Sequence, residues 1–176
     1  VEEVAAALKH FSPRNRRLLG GEAATRQAVL EEIPRYSVLH FSTHGWANLE
    51  EPLQSGLLMA RKESLTLGDI MNLRLEGARL AVLSACETGL PGAKLPEEAV
   101  SLPTGLIQAG VAGVVGSLWA VNEVSTARLI GRFYDLWLKE RLEPPEALRQ
   151  AQIWLRDSNK AYAHPFHWAA FSYVGA

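Results

Sequence analysis

Cysteine is almost absent from this chain of 176 residues, in which Cys86 is the only one. A single cysteine cannot close an internal disulfide, which favours a reducing compartment, so we expect a cytoplasmic protein. No run of about 18 apolar residues occurs, and the N-terminus lacks the basic and then apolar pattern of a signal peptide. We therefore expect no membrane span.

An excess of charge of either sign is also lacking. The 18 basic and 19 acidic side chains leave a formal net charge of −1, whereas nucleic-acid-binding domains are normally clearly basic, so that class is disfavoured. Neither a CxxC pair nor an HExxH motif occurs. We expect no metal and no cofactor, and a chain that is 48% hydrophobic has enough apolar side chains for one domain with a core.

Apolar runs alternate with helical patterns along the chain, which predicts an α/β fold with three layers, a mostly parallel sheet and helices on both faces. The predicted strands cover residues 36–42, 55–60, 79–85, 113–118 and 168–174. The predicted helices cover residues 2–9, 24–33, 65–73, 97–110, 122–141 and 146–156. Residues 45–54, with Gly, Asn, Glu and Pro, are predicted to form a loop.

Two chemically reactive side chains each follow a predicted strand. His44 comes after the first strand and precedes Gly45, and Cys86 comes after the strand at 79–85. Ligands and chemistry gather at the carboxyl ends of parallel strands, where both residues are expected to lie. A thiolate attacks while a histidine exchanges its proton near neutral pH, so the pair predicts a nucleophilic Cys–His dyad. The backbone N–H groups of Gly45 and Cys86 are the expected oxyanion hole.

Other interpretations of the same residues are open. A lone cysteine is often a small buried hydrophobe, and a histidine beside glycine is often structural. His40 lies within the first predicted strand, and we expect it to be buried and to support the site. His40, His44 and Cys86 would also make three ligands of a catalytic zinc, which the absence of a metal motif disfavours. Glu123 is either a helix-end residue or part of a pocket for a basic group.

Several separated motifs resemble the CHAT domain, a caspase-like domain often fused to tetratricopeptide repeats. They are His40-Phe-Ser-Thr-His44-Gly45, Ser55-Gly-Leu-Leu, Leu83-Ser-Ala-Cys86-Glu-Thr-Gly89, Ser117-Leu-Trp-Ala-Val-Asn-Glu123, Ala147-Leu-Arg-Gln-Ala-Gln152 and His167-Trp-Ala-Ala-Phe171. The resemblance implies the caspase-haemoglobinase fold, with His44 and Cys86 as the catalytic dyad. It also implies a substrate pocket at Ser117, Trp119 and Glu123, where separase has an aspartate that binds arginine.

The resemblance runs from about residue 20 to the end of the chain. We expect residues 1–19 to be a lead-in from a longer domain and residues 20–176 to be the C-terminal part of a CHAT-type peptidase domain. The predicted function is that of a cysteine endopeptidase acting on a protein or peptide substrate, with a regulatory protein or an upstream repeat domain as a further partner. The alternative is an inactive pseudo-peptidase or a protein-interaction module of the same fold.

Overall fold

The computed structural model describes residues 2–48, 50–84 and 101–175. The chain divides into two compact units. One, called the helical unit here, comprises Val1–Leu18 and Ala120–Tyr173, and the other, called the sheet unit, comprises Leu19–Trp119 and Val174–Ala176. Within the described residues, no helix is both long enough and apolar enough to cross a membrane.

Three parallel strands form the centre of the sheet unit: β1 (Val38–Phe41), β5 (Leu80–Leu83) and β6 (Gly113–Ser117). Strand β5 lies between the other two, with Val38 opposite Leu80 and Ala81 opposite Val114. All four residues of β5 are buried, which is why this strand reads in the sequence as a continuous apolar run. The predicted class, a mixed α/β fold with a mostly parallel sheet, is confirmed.

Alternation along β5 sends its side chains to opposite faces of the sheet. Ala81 and Leu83 join a cluster with Leu39 of β1 and Val114 of β6. The same cluster includes apolar side chains from the helices of the sheet unit, namely Val29, Ile33, Leu67, Ile70, Leu102 and Leu106. Burial of this set removes apolar surface from water, which is the main force that holds the helices on this face.

A small antiparallel sheet also belongs to the sheet unit. It consists of β2 (Gly45–Trp46), β3 (Gly56–Leu58) and β4 (Ser64–Thr66), with β3 in the middle. The prediction of a loop from residue 45 was therefore wrong at its start, because Gly45 and Trp46 pair with β3. The prediction of a helix from residue 65 was wrong at its first two residues, which pair with β3 as part of β4.

The helices of the sheet unit begin at side-chain caps. They are α2 (Arg26–Glu32), α3 (Leu67–Met71) and α4 (Leu102–Gln108), capped by Thr25, Thr66 and Ser101. In the cap of α3, the Thr66 hydroxyl accepts from the Asp69 N–H and the Asp69 carboxylate accepts from the Thr66 N–H, which satisfies two free donors.

The Asp69 carboxylate also binds a side chain from α2. Arg26 Nε donates to Asp69 Oδ2 at 2.8 Å. This hydrogen bond has the largest effect on the pKa of Asp69, which it lowers to about 2 although burial acts to raise it. Asp69 therefore joins the start of α3 to α2 whenever it is ionised.

The helical unit contains α1 (Glu2–Leu8), α5 (Glu123–Tyr134), α6 (Pro144–Ser158) and α7 (Pro165–Trp168). Strand β7 (Phe171–Gly175) follows α7, so the prediction of a strand from residue 168 was wrong at its first residues. A proline stands in the first turn of both α6 and α7, where its missing N–H costs nothing.

Helix α5 packs between α1 and α6. Its Leu129, Ile130 and Phe133 are fully buried, and Gly131 faces α1, since a Cβ there would lie 3.4 Å from the Cβ of Ala6. The prediction of one helix to residue 141 was wrong, because α5 ends at Tyr134 and a π-helical stretch, Asp135–Lys139, continues from it. Such stretches widen the turn by one residue.

Candidate functional site

His44 lies just beyond the carboxyl end of β1, and its side chain is exposed. Its backbone is held by β3. The N–H of Leu58 donates to the carbonyl oxygen of His44 at 2.7 Å, and the Thr43 hydroxyl donates to the carbonyl oxygen of Leu58 at 2.6 Å. The imidazole is therefore presented to solvent from a backbone that two hydrogen bonds fix to a neighbouring strand.

Gly45 is the first residue of β2 and lies opposite Leu57 of β3. In an antiparallel strand, the backbone N–H and C=O groups of every second residue point toward the partner strand. His44 is such a residue, because its carbonyl oxygen accepts from Leu58 of β3. The N–H of Gly45 therefore points away from β3 and is not used in that ladder. This orientation is the one that an oxyanion-hole donor needs, because the N–H has to be free to meet a substrate oxygen.

The carboxyl ends of β1 and β5 lie side by side. Phe41 is opposite Leu83, and beyond that pair the N–H of Ser84 donates to the carbonyl oxygen of Phe41 at 3.0 Å. The Ser84 hydroxyl donates to the same oxygen at 3.3 Å. Cys86, the predicted nucleophile and second oxyanion donor, lies outside the described residues.

His40 was expected to be buried, and this prediction was wrong in degree. It lies in β1 opposite Val82, and its side chain is half-buried. His40 makes an interaction within the protein. The zinc alternative, which needs His40, His44 and Cys86 together, includes a residue outside the described part of the chain and stays open.

The three residues predicted to bind substrate differ in exposure. Ser117 ends β6 and is fully buried, Trp119 is half-buried, and Glu123 is exposed. Ser117 and Trp119 belong to the sheet unit, and Glu123 belongs to the helical unit. Their role in substrate binding stays a prediction.

Glu123 is the first residue of α5, but it is not the residue that caps the helix. Asn122 caps it, since its Oδ1 accepts from the N–H groups of Val124 and Ser125, both at 3.1 Å. Within the described residues, the Glu123 carboxylate has no ion-pair partner. The carboxylate still gains from the positive end of the helix dipole.

Sequence reasoning missed the residues that hold His44 in place. Thr43 and Leu58 do this through their hydrogen bonds, a role that their place in the quoted motifs does not indicate. A two-residue strand such as β2 is too short to show an alternating pattern. The available sequence signal is the apolar run of β3, because a buried strand needs partner strands and β2 and β4 flank it in the chain.

A mixed α/β fold with a parallel sheet, and with a histidine presented at its carboxyl edge, is consistent with the caspase-like class of domains. The sequence model of the CHAT domain matches residues 1–176, and the chain therefore belongs to the CHAT domain family, which lies in the caspase-like superfamily.

Two relatives are named for tetratricopeptide repeats. The chain is 30% identical to tetratricopeptide repeat protein 28 of Mus musculus over 198 residues and 26% identical to the Homo sapiens protein of that name over 196 residues. In both comparisons 90% of this chain is aligned, and it spans 8% of the relative's length. The proposed boundary of the domain at residue 20 stays a prediction.

Proposed function

We propose that this domain is a cysteine endopeptidase that hydrolyses peptide bonds in protein substrates through His44 and Cys86. The observation that carries the proposal is the parallel pairing of β1 with β5, in which Phe41 lies opposite Leu83. His44 follows Phe41 by three positions and Cys86 follows Leu83 by three positions. His44 and Cys86 therefore follow the carboxyl ends of two adjacent parallel strands at the same spacing in the chain, which is where chemistry gathers in such sheets.

The reaction needs no cofactor. The Cys86 thiolate attacks the scissile carbonyl carbon, and the carbon–nitrogen bond breaks as a proton from the His44 imidazolium passes to the leaving amine. Water then attacks the thioester, gives its proton to His44, and releases the carboxylic acid and the thiolate. The exposure of His44 favours this role, because the imidazole can reach a bound peptide.

Negative charge on the carbonyl oxygen would be stabilised by the N–H groups of Gly45 and Cys86. The N–H of Gly45 points away from β3, so it is available without breaking the β2–β3 ladder. A donor that is already oriented costs no reorganisation when charge develops. The hydrogen bond from the Thr43 hydroxyl to Leu58 would keep Gly45 opposite Leu57 during the reaction.

Substrate preference is assigned to Glu123. Its carboxylate is exposed, and Asn122 already caps the helix. A carboxylate that is not needed as a cap can pair with a guanidinium through two hydrogen bonds. We expect a basic residue just before the cleaved bond.

The partners of the domain are part of the same proposal. The substrate would be a protein or a peptide in the cytoplasm. A regulatory protein or an upstream repeat domain would control access to the site, and the two relatives are named for tetratricopeptide repeats. The second candidate is a domain that binds a partner without cleaving it.

The test uses the fact that Cys86 is the only thiol in the chain. The rate of alkylation by iodoacetamide is measured from pH 5 to 9 for the parent and for His44→Asn. The matched control is His164→Asn, because His164 is exposed and its ring nitrogen only caps α7, a role that asparagine can also fill.

We expect the parent and His164→Asn to react about tenfold faster than free glutathione near pH 6, and His44→Asn to react like glutathione. Equal rates for the parent and glutathione would overturn the dyad. Fast alkylation with no cleavage of any peptide in a library would favour the interaction module.

A further inference from the structure

Arg128 of α5 lies over two aromatic rings in the helical unit. Its guanidinium carbon is 5.5 Å from the centroid of the Trp154 ring and 5.3 Å from that of Tyr162. Trp154 comes from α6 and Tyr162 from the short turn that follows it. Attraction between the cation and the two ring faces restricts the rotamers of a long side chain that is exposed to solvent.

The charge of Arg128 is not matched by a carboxylate. Among the described residues it makes no ion pair, whereas the three other arginines on α5 and α6 each make one: Arg132 with Glu140, Arg149 with Glu146 and Arg156 with Asp157. Arg128 is therefore the arginine of these two helices that the fold orients but leaves unpaired.

Contact with ring faces leaves the edges of the guanidinium available. A guanidinium carries five N–H donors in its plane, arranged as a fork that matches the two oxygens of a carboxylate. Because the Trp154 and Tyr162 rings already restrict Arg128, less conformational entropy is lost when an anion binds. The arrangement is a pre-organised carboxylate site rather than a mobile surface charge.

Two exposed apolar side chains, Val124 and Phe166, lie near this site. Val124 lies one turn before Arg128 on the same side of α5 and is 54% exposed. Phe166 is 43% exposed. The ring of His167 lies between it and the site, because this ring packs edge-on against both Phe166 and Tyr162. Trp, Tyr and Arg grouped in this way are typical of the residues that dominate the energy of protein interfaces.

The local charge also favours an acidic ligand. Lys160 is exposed in the same turn as Tyr162, and among the described residues it makes no ion pair either. The carboxylate of Asp157 is already paired with Arg156. Glu123 precedes Val124 on α5, so it projects about 100° around the helix from the side that carries Val124 and Arg128.

We propose that Val124, Arg128, Trp154, Tyr162 and Phe166 bind an acidic peptide segment of a partner protein. A ligand carboxylate pairs with the edge of the Arg128 guanidinium, and flanking apolar side chains of the ligand pack on Val124 and Phe166. The site lies wholly in the helical unit and does not depend on the proposed chemistry of His44 and Cys86.

The test measures the binding of fluorescein-labelled peptides by anisotropy. One peptide alternates glutamate with leucine, and its neutral counterpart has glutamine in place of each glutamate. The variants are Arg128→Gln and Arg128→Lys, the second of which keeps the charge but loses the planar fork. Arg149→Gln is the matched control, because Arg149 is an exposed arginine of α6 that is paired within its own helix.

We expect the parent and Arg149→Gln to bind the acidic peptide with dissociation constants within about twofold of each other. Arg128→Gln should bind about tenfold more weakly, as should the neutral peptide to the parent. Arg128→Lys should also be clearly weaker, since an ammonium cannot hold both carboxylate oxygens. Circular dichroism is expected to show parent-like folding for all three variants.

Three results would overturn the proposal. The first is equal binding of the acidic and the neutral peptide by the parent. The second is parent-like affinity in either Arg128 variant when it is folded. The third is binding of the parent to anionic phospholipid vesicles without binding to the acidic peptide.

Discussion

Phe41 of β1 and Leu83 of β5 lie opposite each other at the carboxyl ends of two adjacent parallel strands. The N–H of Ser84 extends this pairing by one residue, because it donates to the carbonyl oxygen of Phe41. Both predicted catalytic residues follow these ends at the same spacing in the chain. The register of the central sheet is thus the observation on which the proposed dyad rests.

Replacement of Glu123 tests the predicted preference for a basic residue. Glu123→Gln keeps the shape of the side chain and removes its charge, so cleavage after arginine should fall by about tenfold or more while the alkylation rate of Cys86 is unchanged. The measurement compares kcat/KM for peptides that differ only in arginine or leucine before the scissile bond. Glu140→Gln serves as the control, since Glu140 is a carboxylate of the helical unit paired with Arg132.

Equal cleavage after arginine and after leucine by the parent, unchanged in Glu123→Gln, would show that Glu123 serves only the N-terminus of α5.

His10, which follows α1, packs against the end of α5. Its side chain is 2% exposed, its ring stacks on Tyr134, and its Nε2 lies 3.5 Å from Asp135 Oδ1. Burial lowers the pKa of His10, with Asp135 opposing this shift and two lysines, Lys9 and Lys139, adding to it.

A histidine whose pKa is lowered by folding contributes stability above its unfolded pKa, which is 6.5, and loses it as the pH falls through the folded value. We expect the melting temperature to fall below pH 6.5. His10→Phe keeps the stack on Tyr134 but cannot be protonated, so its melting curve should lose that pH dependence. Parallel pH profiles for the parent and His10→Phe would contradict this.

Two glycines within helices should respond oppositely to alanine. A Cβ on Gly105 of α4 would overlap Cδ1 of Leu67, which is fully buried in α3, so Gly105→Ala should destabilise the fold by about 1–3 kcal/mol. A Cβ on Gly131 would meet Ala6 at 3.4 Å, where a small shift suffices. Gly131→Ala should be neutral or stabilising by up to about 1 kcal/mol, because alanine favours a helix.

The measurement for this pair is urea unfolding, in which the midpoint reports stability when the slope is unchanged. Equal midpoints for Gly105→Ala and the parent would show that α3 and α4 do not pack as described.

The buried parallel strands could be predicted from the sequence because their apolar runs are continuous. The run at residues 80–83 is the clearest case, and it is buried along its whole length in β5. Leu65 and Thr66 belong to β4 and not to the predicted helix, although the sequence carries a signal for the start of α3: Thr66 is followed three residues later by Asp69, which is the spacing of a capping box. The apolar Leu65 fits both a short strand and the first turn of a helix, which pattern alone does not separate.

Other features could not be found in the sequence for physical reasons. Strand β2 has two residues, so its existence depends on hydrogen bonds to β3 and leaves no periodic pattern. The π-helical stretch at Asp135–Lys139 follows a helix without a break in apolar spacing. For the site, the residue types at positions 44 and 45 suggested their chemistry, but the direction of the Gly45 N–H follows only from the pairing of His44 with Leu58.

The most direct test of the central proposal is the cleavage of a peptide library by the parent and by Cys86→Ala, with products identified by mass spectrometry. Loss of a single small side chain should leave folding nearly unchanged, with a cost on the order of 1 kcal/mol, so a lost activity would report chemistry. We predict cleavage by the parent and none by a folded Cys86→Ala. Comparable turnover by the two proteins, or no cleavage by the parent together with a Cys86 thiol that reacts no faster than glutathione, would contradict the assignment of this domain as a cysteine peptidase.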